Sequence, residues 1–144
     1  MSATAGQAQD ERSLAERLGF KPGHVVQEIG YDDDCDEPLR DSIAKFTGNE
    51  LVDEDFGEVV DAVLLWWRDD DDDSADALAD AMVDAKTPLA DGGMIWLLTP
   101  KTGRDGHVEP SDIREAATTA GLSATKSVNA AQEWSGTQLL SPRR

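Results

Sequence analysis

Val60-Asp61-Ala62-Val63-Leu64-Leu65-Trp66-Trp67 is the stretch whose reading decides the fold. From Ala62 to Trp67 the run is apolar without interruption. A strand wetted on one face would alternate polar and apolar side chains, so this run predicts a central strand covered on both faces, as in parallel sheets. Residues adjacent in a strand point to opposite sides, which puts Trp66 and Trp67 in different environments. A second run, Met94 to Thr99, follows the turn-forming Pro88-Leu89-Ala90-Asp91-Gly92-Gly93 and predicts a second buried strand.

Helical patterns flank both runs. Asp10 to Leu18 places Leu14 and Leu18 on one face, with Gly19 positioned to stop the helix. Phe20-Lys21-Pro22-Gly23 then turns into a first strand over His24 to Gly30. Pro38 suits the first position of a helix capped by Asp36 or Glu37, with Leu39, Ile43 and Phe46 inward and Gly48 at its end. A brief strand is expected at Glu50 to Val52. Ser74 is expected to cap a helix whose inner face is Ala77, Leu78, Ala81, Met82 and Ala85. Pro110-Ser111 opens another, with Ile113, Ala116, Ala117 and Ala120 inward and Gly121 closing it. Ser123 to Val128 and Trp134 to Leu140 read as a hairpin, with Asn129 at its turn. Strands alternating with helices predict a three-layer α/β/α domain with a mostly parallel sheet, its edge extended by one antiparallel hairpin strand. That domain is expected over residues 10–141, with tails at 1–9 and 142–144.

Composition narrows the function classes. The 144 residues are 39% hydrophobic with four tryptophans, enough for a core. Thirty acidic against thirteen basic residues give a net charge of -17. Such a chain repels nucleic acid and anionic lipid and favours basic partners or cations. Cys35 is the single cysteine, so no internal disulfide exists. Met1 to Asp10 has no apolar run of a signal peptide, so a cytoplasmic location is expected.

Several segments resemble the methyltransferase branch of the Rossmann-like folds. Leu18-Gly19-Phe20-Lys21-Pro22-Gly23-His24-Val25-Val26-Gln27-Glu28-Ile29-Gly30 is similar to that family's opening turn and first strand. Val60 to Trp67 resembles its fourth strand, and Leu89 to Pro100 its glycine turn and fifth strand. Ala116 to Leu122, with Trp134 to Leu140, resembles the closing helix and hairpin. Leu64-Leu65-Trp66-Trp67-Arg68-Asp69, Thr99-Pro100-Lys101-Thr102-Gly103 and Val128-Asn129 with Trp134 are similar to an uncharacterised actinobacterial family, domain of unknown function 3052. The first resemblance implies a minimal methyltransferase-like scaffold; the second implies no particular activity.

The cofactor loop departs from that scaffold. Working methyltransferases need a glycine-rich loop after the first strand so that backbone can approach the ligand. Here Gly30-Tyr31-Asp32-Asp33-Asp34-Cys35-Asp36-Glu37 has one glycine and five carboxylates. Pyrophosphate is repelled there; S-adenosylmethionine, with its sulfonium, is repelled less. No catalytic residue is assigned and no cofactor is expected outright.

Three acidic groups are expected to gather at one edge of the sheet, because each follows a strand end. They are Asp32, Asp33, Asp34, Asp36 and Glu37; Asp53, Glu54 and Asp55; and Asp69, Asp70, Asp71, Asp72 and Asp73. Lys101 and Arg104 follow the fifth strand and are expected to reach this pole and pair with its aspartates. The bland reading is solvated loop charge. The sharper reading is a non-catalytic adaptor docking a basic protein through Asp32, Asp33, Asp34, Asp69 to Asp73, Lys101 and Arg104. Its alternatives are a divergent S-adenosylmethionine-dependent methyltransferase using Gly30 and Asp53 or Glu54, and a weakly cation-responsive protein. The aspartate run lacks the spacing of a calcium loop, so no metal ligands are assigned. Cys35 is expected to be a passive surface thiol, its pKa raised by neighbouring carboxylates. His24 and His107 sit at turns without partners at zinc spacing. Trp96 and Trp134, like Trp66 and Trp67, read as core or sheet-edge packing.

Overall fold

The computed structural model describes residues 15–68 and 75–141. Its strands are β1 (Val26–Ile29), β2 (Val60–Trp66), β3 (Leu89–Pro100), β4 (Ser123–Asn129) and β5 (Trp134–Leu140). Its helices are α1 (Glu37–Thr47), α2 (Ala75–Lys86) and α3 (Pro110–Ala120). The strands form one sheet in the order β1-β2-β3-β5-β4. β1, β2 and β3 run parallel, as the alternation of strands and helices predicts.

Period-two alternation along β2 and β3 sorts the core into two layers. Ala62, Leu64, Trp66, Trp96 and Leu98 face α1 and the segment carrying Ala15, Leu18 and Phe20. Val63, Leu65, Ile95 and Leu97 face Leu78, Met82 and Ala85 of α2 and Ile113, Ala116, Ala117 and Ala120 of α3. Trp66 belongs to the first layer and Trp67 packs against the second, as adjacent strand positions require. Trp96 is fully buried and its indole N–H donates to Leu18 O at 2.8 Å.

Of the two candidate caps for α1, Asp36 is the one used: its carboxylate accepts from Leu39 N at 2.9 Å. Gly48 ends the helix in the left-handed region at φ 82, returning its N–H to Ala44 O.

Four expectations are refined. Both hairpin strands join the sheet, β5 pairing antiparallel with β3 and β4 forming the edge. β5 carries the buried Trp134 and Leu139, whereas β4 is largely exposed, which suits an edge. Glu50 to Val52 makes only an isolated parallel bridge, Val52 to Gln27. Leu89 to Gly93, expected as a turn, is the irregular start of β3, with a register shift against Val60 and Ala62. The first strand is shorter than expected, because Val25 N is held by the Asp61 carboxylate at 2.8 Å. The terminal tails, most of the first helix, Ser74 and Asp69 to Asp73 lie outside the described residues. Among the described residues no helix is long and apolar enough to cross a membrane.

Candidate functional site

The chain leaves β1 for α1 on one face of the sheet and leaves β2 for α2 on the other. Adjacent parallel strands whose helices diverge in this way open a crevice at their carboxyl ends, where open α/β sheets bind ligands. The turn out of β1 is Gly30, at φ 82. A Cβ there would lie 2.4 Å from the carbonyl oxygen of Trp66, so both conformation and contact require glycine.

Arg68, two residues beyond β2, occupies this crevice. Its Nη1 donates to Gly30 O at 2.7 Å, its guanidinium pairs with Asp34, and Nη2 meets Cys35 Sγ at 3.2 Å. The same guanidinium lies 5.2 Å from the centroid of the Trp134 ring. Trp134 donates its indole N–H to Asp34 O at 3.1 Å and packs edge-on against Trp66. The Arg68 hydrogen bond holds the Asp34 carboxyl below the usual carboxylate range.

A groove of about 440 Å³ opens beside β1, walled by Tyr31, Arg40, Leu51, Asp53, Glu54 and Asp55. At its base Glu28, 6% exposed, accepts from Trp66 Nε1 at 2.8 Å and from Arg40 Nε and Nη2 at 2.6 and 2.8 Å. Arg40 also holds Glu37 at 2.8 Å and lies 4.1 Å from the centroid of the Tyr31 ring. Tyr31 donates its hydroxyl to Glu37 at 2.5 Å yet keeps 46% of its surface exposed. Gly30 N donates to Glu54 Oε2 at 3.1 Å, tying the second acidic cluster to the first.

The family model described as "Protein of unknown function (DUF3052)" matches residues 15–143. The chain belongs to this family. Curated relatives are uncharacterized proteins of Mycobacterium tuberculosis and Mycobacterium bovis, each 47% identical over 98% of this chain and 86% of the relative. Among solved structures, the DUF3052 chain is similar to magnesium protoporphyrin IX methyltransferase from Synechocystis with bound SAM. The TM-score is 0.56 at 14% identity, over 96% of this chain and 81% of the other. It is also similar to the CcbJ methyltransferase from Streptomyces caelestis, with a TM-score of 0.57 at 11% identity, over 92% of this chain and 95% of the other. At these identities the likeness shows the fold: a Rossmann-like methyltransferase scaffold.

In this DUF3052 chain, Asp32, Asp33 and Asp34 and the trio Asp53, Glu54 and Asp55 stand at one edge, as their strand ends predict. Arg104 pairs with Glu133 at 2.7 Å instead of with an aspartate, because the β3–β5 pairing brings the hairpin's Glu133 closer than the first-strand loop. The Lys101 ammonium makes no ion pair among the described residues; its backbone N–H donates to Glu133 O. His24 Nδ1 accepts from Lys21 N at 3.2 Å. His107 sits between Pro100 O and the Glu109 carboxylate, at 2.9 and 3.1 Å. Asn129 is the last residue of β4, not a turn residue. Among the described residues no group of three His, Cys, Asp or Glu could hold a metal.

Cys35 is buried, not a surface thiol, with 7% of its area exposed. Burial is the main cause that raises its pKa, and Asp34 contributes least. The neutral thiol therefore favours the folded state below the free-thiol value of about 8.5. That contribution is lost as pH rises through the raised folded value. Native protein at pH 8 should react with a thiol-disulfide reagent at least about 100-fold more slowly than guanidinium-unfolded protein. Equal rates would mean that the Arg68–Trp134 cover does not hold.

Arg68 and Arg40 carry this region, and neither stands out in the sequence. A lone arginine between a buried strand and an aspartate run was the available signal for Arg68. The role of Arg40 needs a partner twelve residues away on another element.

Proposed function

We propose that this chain is a divergent methyltransferase-type protein that takes an adenosyl cofactor of the S-adenosylmethionine class in the groove beside β1. The observation carrying the reading is the pairing there of exposed carboxylates, Asp53 and Glu54, with the open ring of Tyr31. A ribose diol donates two hydrogen bonds, and carboxylates are the acceptors that match it. The outer face of Tyr31 suits a purine, since its inner face already rests on Arg40. The sulfonium and ammonium of the cofactor match the acidic edge, whereas a pyrophosphate cofactor would be repelled. A methionine-type carboxylate can take the place of Asp34 on Arg68 without leaving the guanidinium unpaired. Support also comes from the Synechocystis enzyme of the same fold, whose structures hold SAM and SAH.

Calorimetric titration with S-adenosylmethionine and S-adenosylhomocysteine tests this reading. Both are expected to bind and ATP is not. The double variant Asp53→Asn, Glu54→Gln should weaken binding by about tenfold or more, the loss of two charge-assisted hydrogen bonds. Flat titrations with both adenosyl compounds contradict the reading.

A second reading is favoured by one observation: Arg68, Asp34 and Trp134 fill the crevice with the protein's own side chains. In that reading the chain is a non-catalytic adaptor whose acidic pole, with Asp69 to Asp73, docks a basic protein surface. It expects no adenosyl binding and a partner association that weakens steeply with salt.

A further inference from the structure

At the opposite end of the strand order, the α2/α3 face of the sheet changes character. Leu97 and Leu139 are wholly buried apolar residues. Two positions further toward the hairpin on the same strands stand Thr99 and Thr137, with Ser135 paired to Thr99 and Ser127 paired to Thr137. Side chains two apart share a face, so these hydroxyls continue the surface that α2 and α3 cover elsewhere. They floor a cavity of about 240 Å³ beneath the first turn of α3.

Thr99 and Thr137 are 2% and 7% exposed. Neither hydroxyl has a hydrogen-bond partner among the described residues. Both residues line the cavity. A threonine hydroxyl that lines a cavity can donate to an acceptor placed there. Arg114, the fifth residue of α3, and Lys126, from β4, also line the cavity, and neither is in an ion pair among the described residues. In a chain of thirteen basic and thirty acidic residues, the residues lining this cavity include two cations and no carboxylate. The N-cap of α3, Glu109, makes no side-chain cap bond; its carboxylate is turned to His107 instead. The remaining wall is apolar: Val108, Pro110, Ile113 and Ala124.

We propose that this cavity binds the phosphoryl group of a small organic phosphate monoester. Arg114 and Lys126 supply the counter-charge, Thr99 and Thr137 donate to the oxygens, and the apolar wall receives the organic body. A phosphoryl group matches the number of converging donors, since its three terminal oxygens accept several hydrogen bonds at once. The site shares no lining residue with the groove beside β1, so either can fail while the other stands.

The test uses the full chain with inorganic phosphate and phenyl phosphate as probes, and phenol and sodium chloride at matched ionic strength as controls. Calorimetry measures affinity, and amide spectra locate the site. Phenyl phosphate is expected to bind and to shift the amides of Thr99, Ser127 and Thr137, while phenol and chloride leave them in place. Arg114→Gln should weaken binding by about tenfold or more, and Thr137→Val, nearly isosteric, by about three- to tenfold. Asp41→Asn, on α1, should leave the affinity for phenyl phosphate unchanged. Equal affinity for inorganic phosphate would make the free ion the ligand of the same site; a clear preference for phenyl phosphate assigns the monoester. Absence of binding by both probes, or Arg114→Gln and Thr137→Val variants that bind like the unaltered chain, overturns the proposal.

Discussion

Replacing Arg40 with methionine is expected to lower the unfolding free energy by about 3 kcal/mol, the usual cost of removing one member of a buried ion pair. In a domain of this size the melting temperature should fall by roughly 10 °C. Glu28 is the reason. It sits on a buried strand against Trp66, and its two oxygens take one indole N–H and two guanidinium donors. Methionine preserves most of the stem's packing but leaves a carboxylate facing the apolar layer with the indole alone. Adding Glu28→Gln to Arg40→Met should restore about half of the loss, because an under-bonded amide costs less to bury than an under-bonded charge. Denaturant unfolding monitored by tryptophan fluorescence reads both effects. A loss below about 1 kcal/mol for the single variant would show that the pair behaves as an exposed one.

Gly30→Ala is the other large effect expected. A non-glycine residue in the left-handed region costs about 1–2 kcal/mol. At Gly30 the added Cβ also meets the Trp66 carbonyl oxygen at 2.4 Å, and that atom belongs to a buried strand that cannot retreat cheaply. The total should reach about 3 kcal/mol. Gly23→Ala is the control, since Gly23 has nearly the same φ, 89, with nothing within 4 Å of a Cβ. It should cost only the conformational part, about 1 kcal/mol. Equal losses at the two positions would mean that the contact with Trp66 contributes nothing and that the β1–β2 crevice is looser than described. Because Gly30 O accepts from Arg68, the same variant should also speed thiol modification of Cys35.

The parts of this fold legible in the sequence are those written in local pattern. The apolar run in β2, the Asp36–Pro38 start of α1 and the alanine-rich inner face of α3 each carry their own signal, and each element forms where that signal lies. The refinements are non-local. Whether the hairpin adds one strand or two depends on how β5 pairs with β3. Whether Leu51-Val52 forms a strand depends on how much of β1 is free to pair, and only Gln27 bridges to Val52. At the site, strand ends sufficed to bring the loops of Asp32 to Asp34 and Asp53 to Asp55 to one edge. The groups that organise that edge were not legible, since Arg68 joins partners spread along the chain from Gly30 to Trp134. The burial of Cys35 follows from the same closure, which local composition, five acids in eight residues, would have contradicted.

Binding of an adenosyl group beside the first strand is the claim on which the functional account turns. Titration of the amide spectrum with S-adenosylhomocysteine examines it most directly. The expected result is saturable shifts concentrated at Gly30, Tyr31 and Leu51 to Asp55 that disappear when Asp53 and Glu54 are neutralised. A spectrum unchanged at millimolar ligand, or shifts confined to β4 and β5, would contradict it.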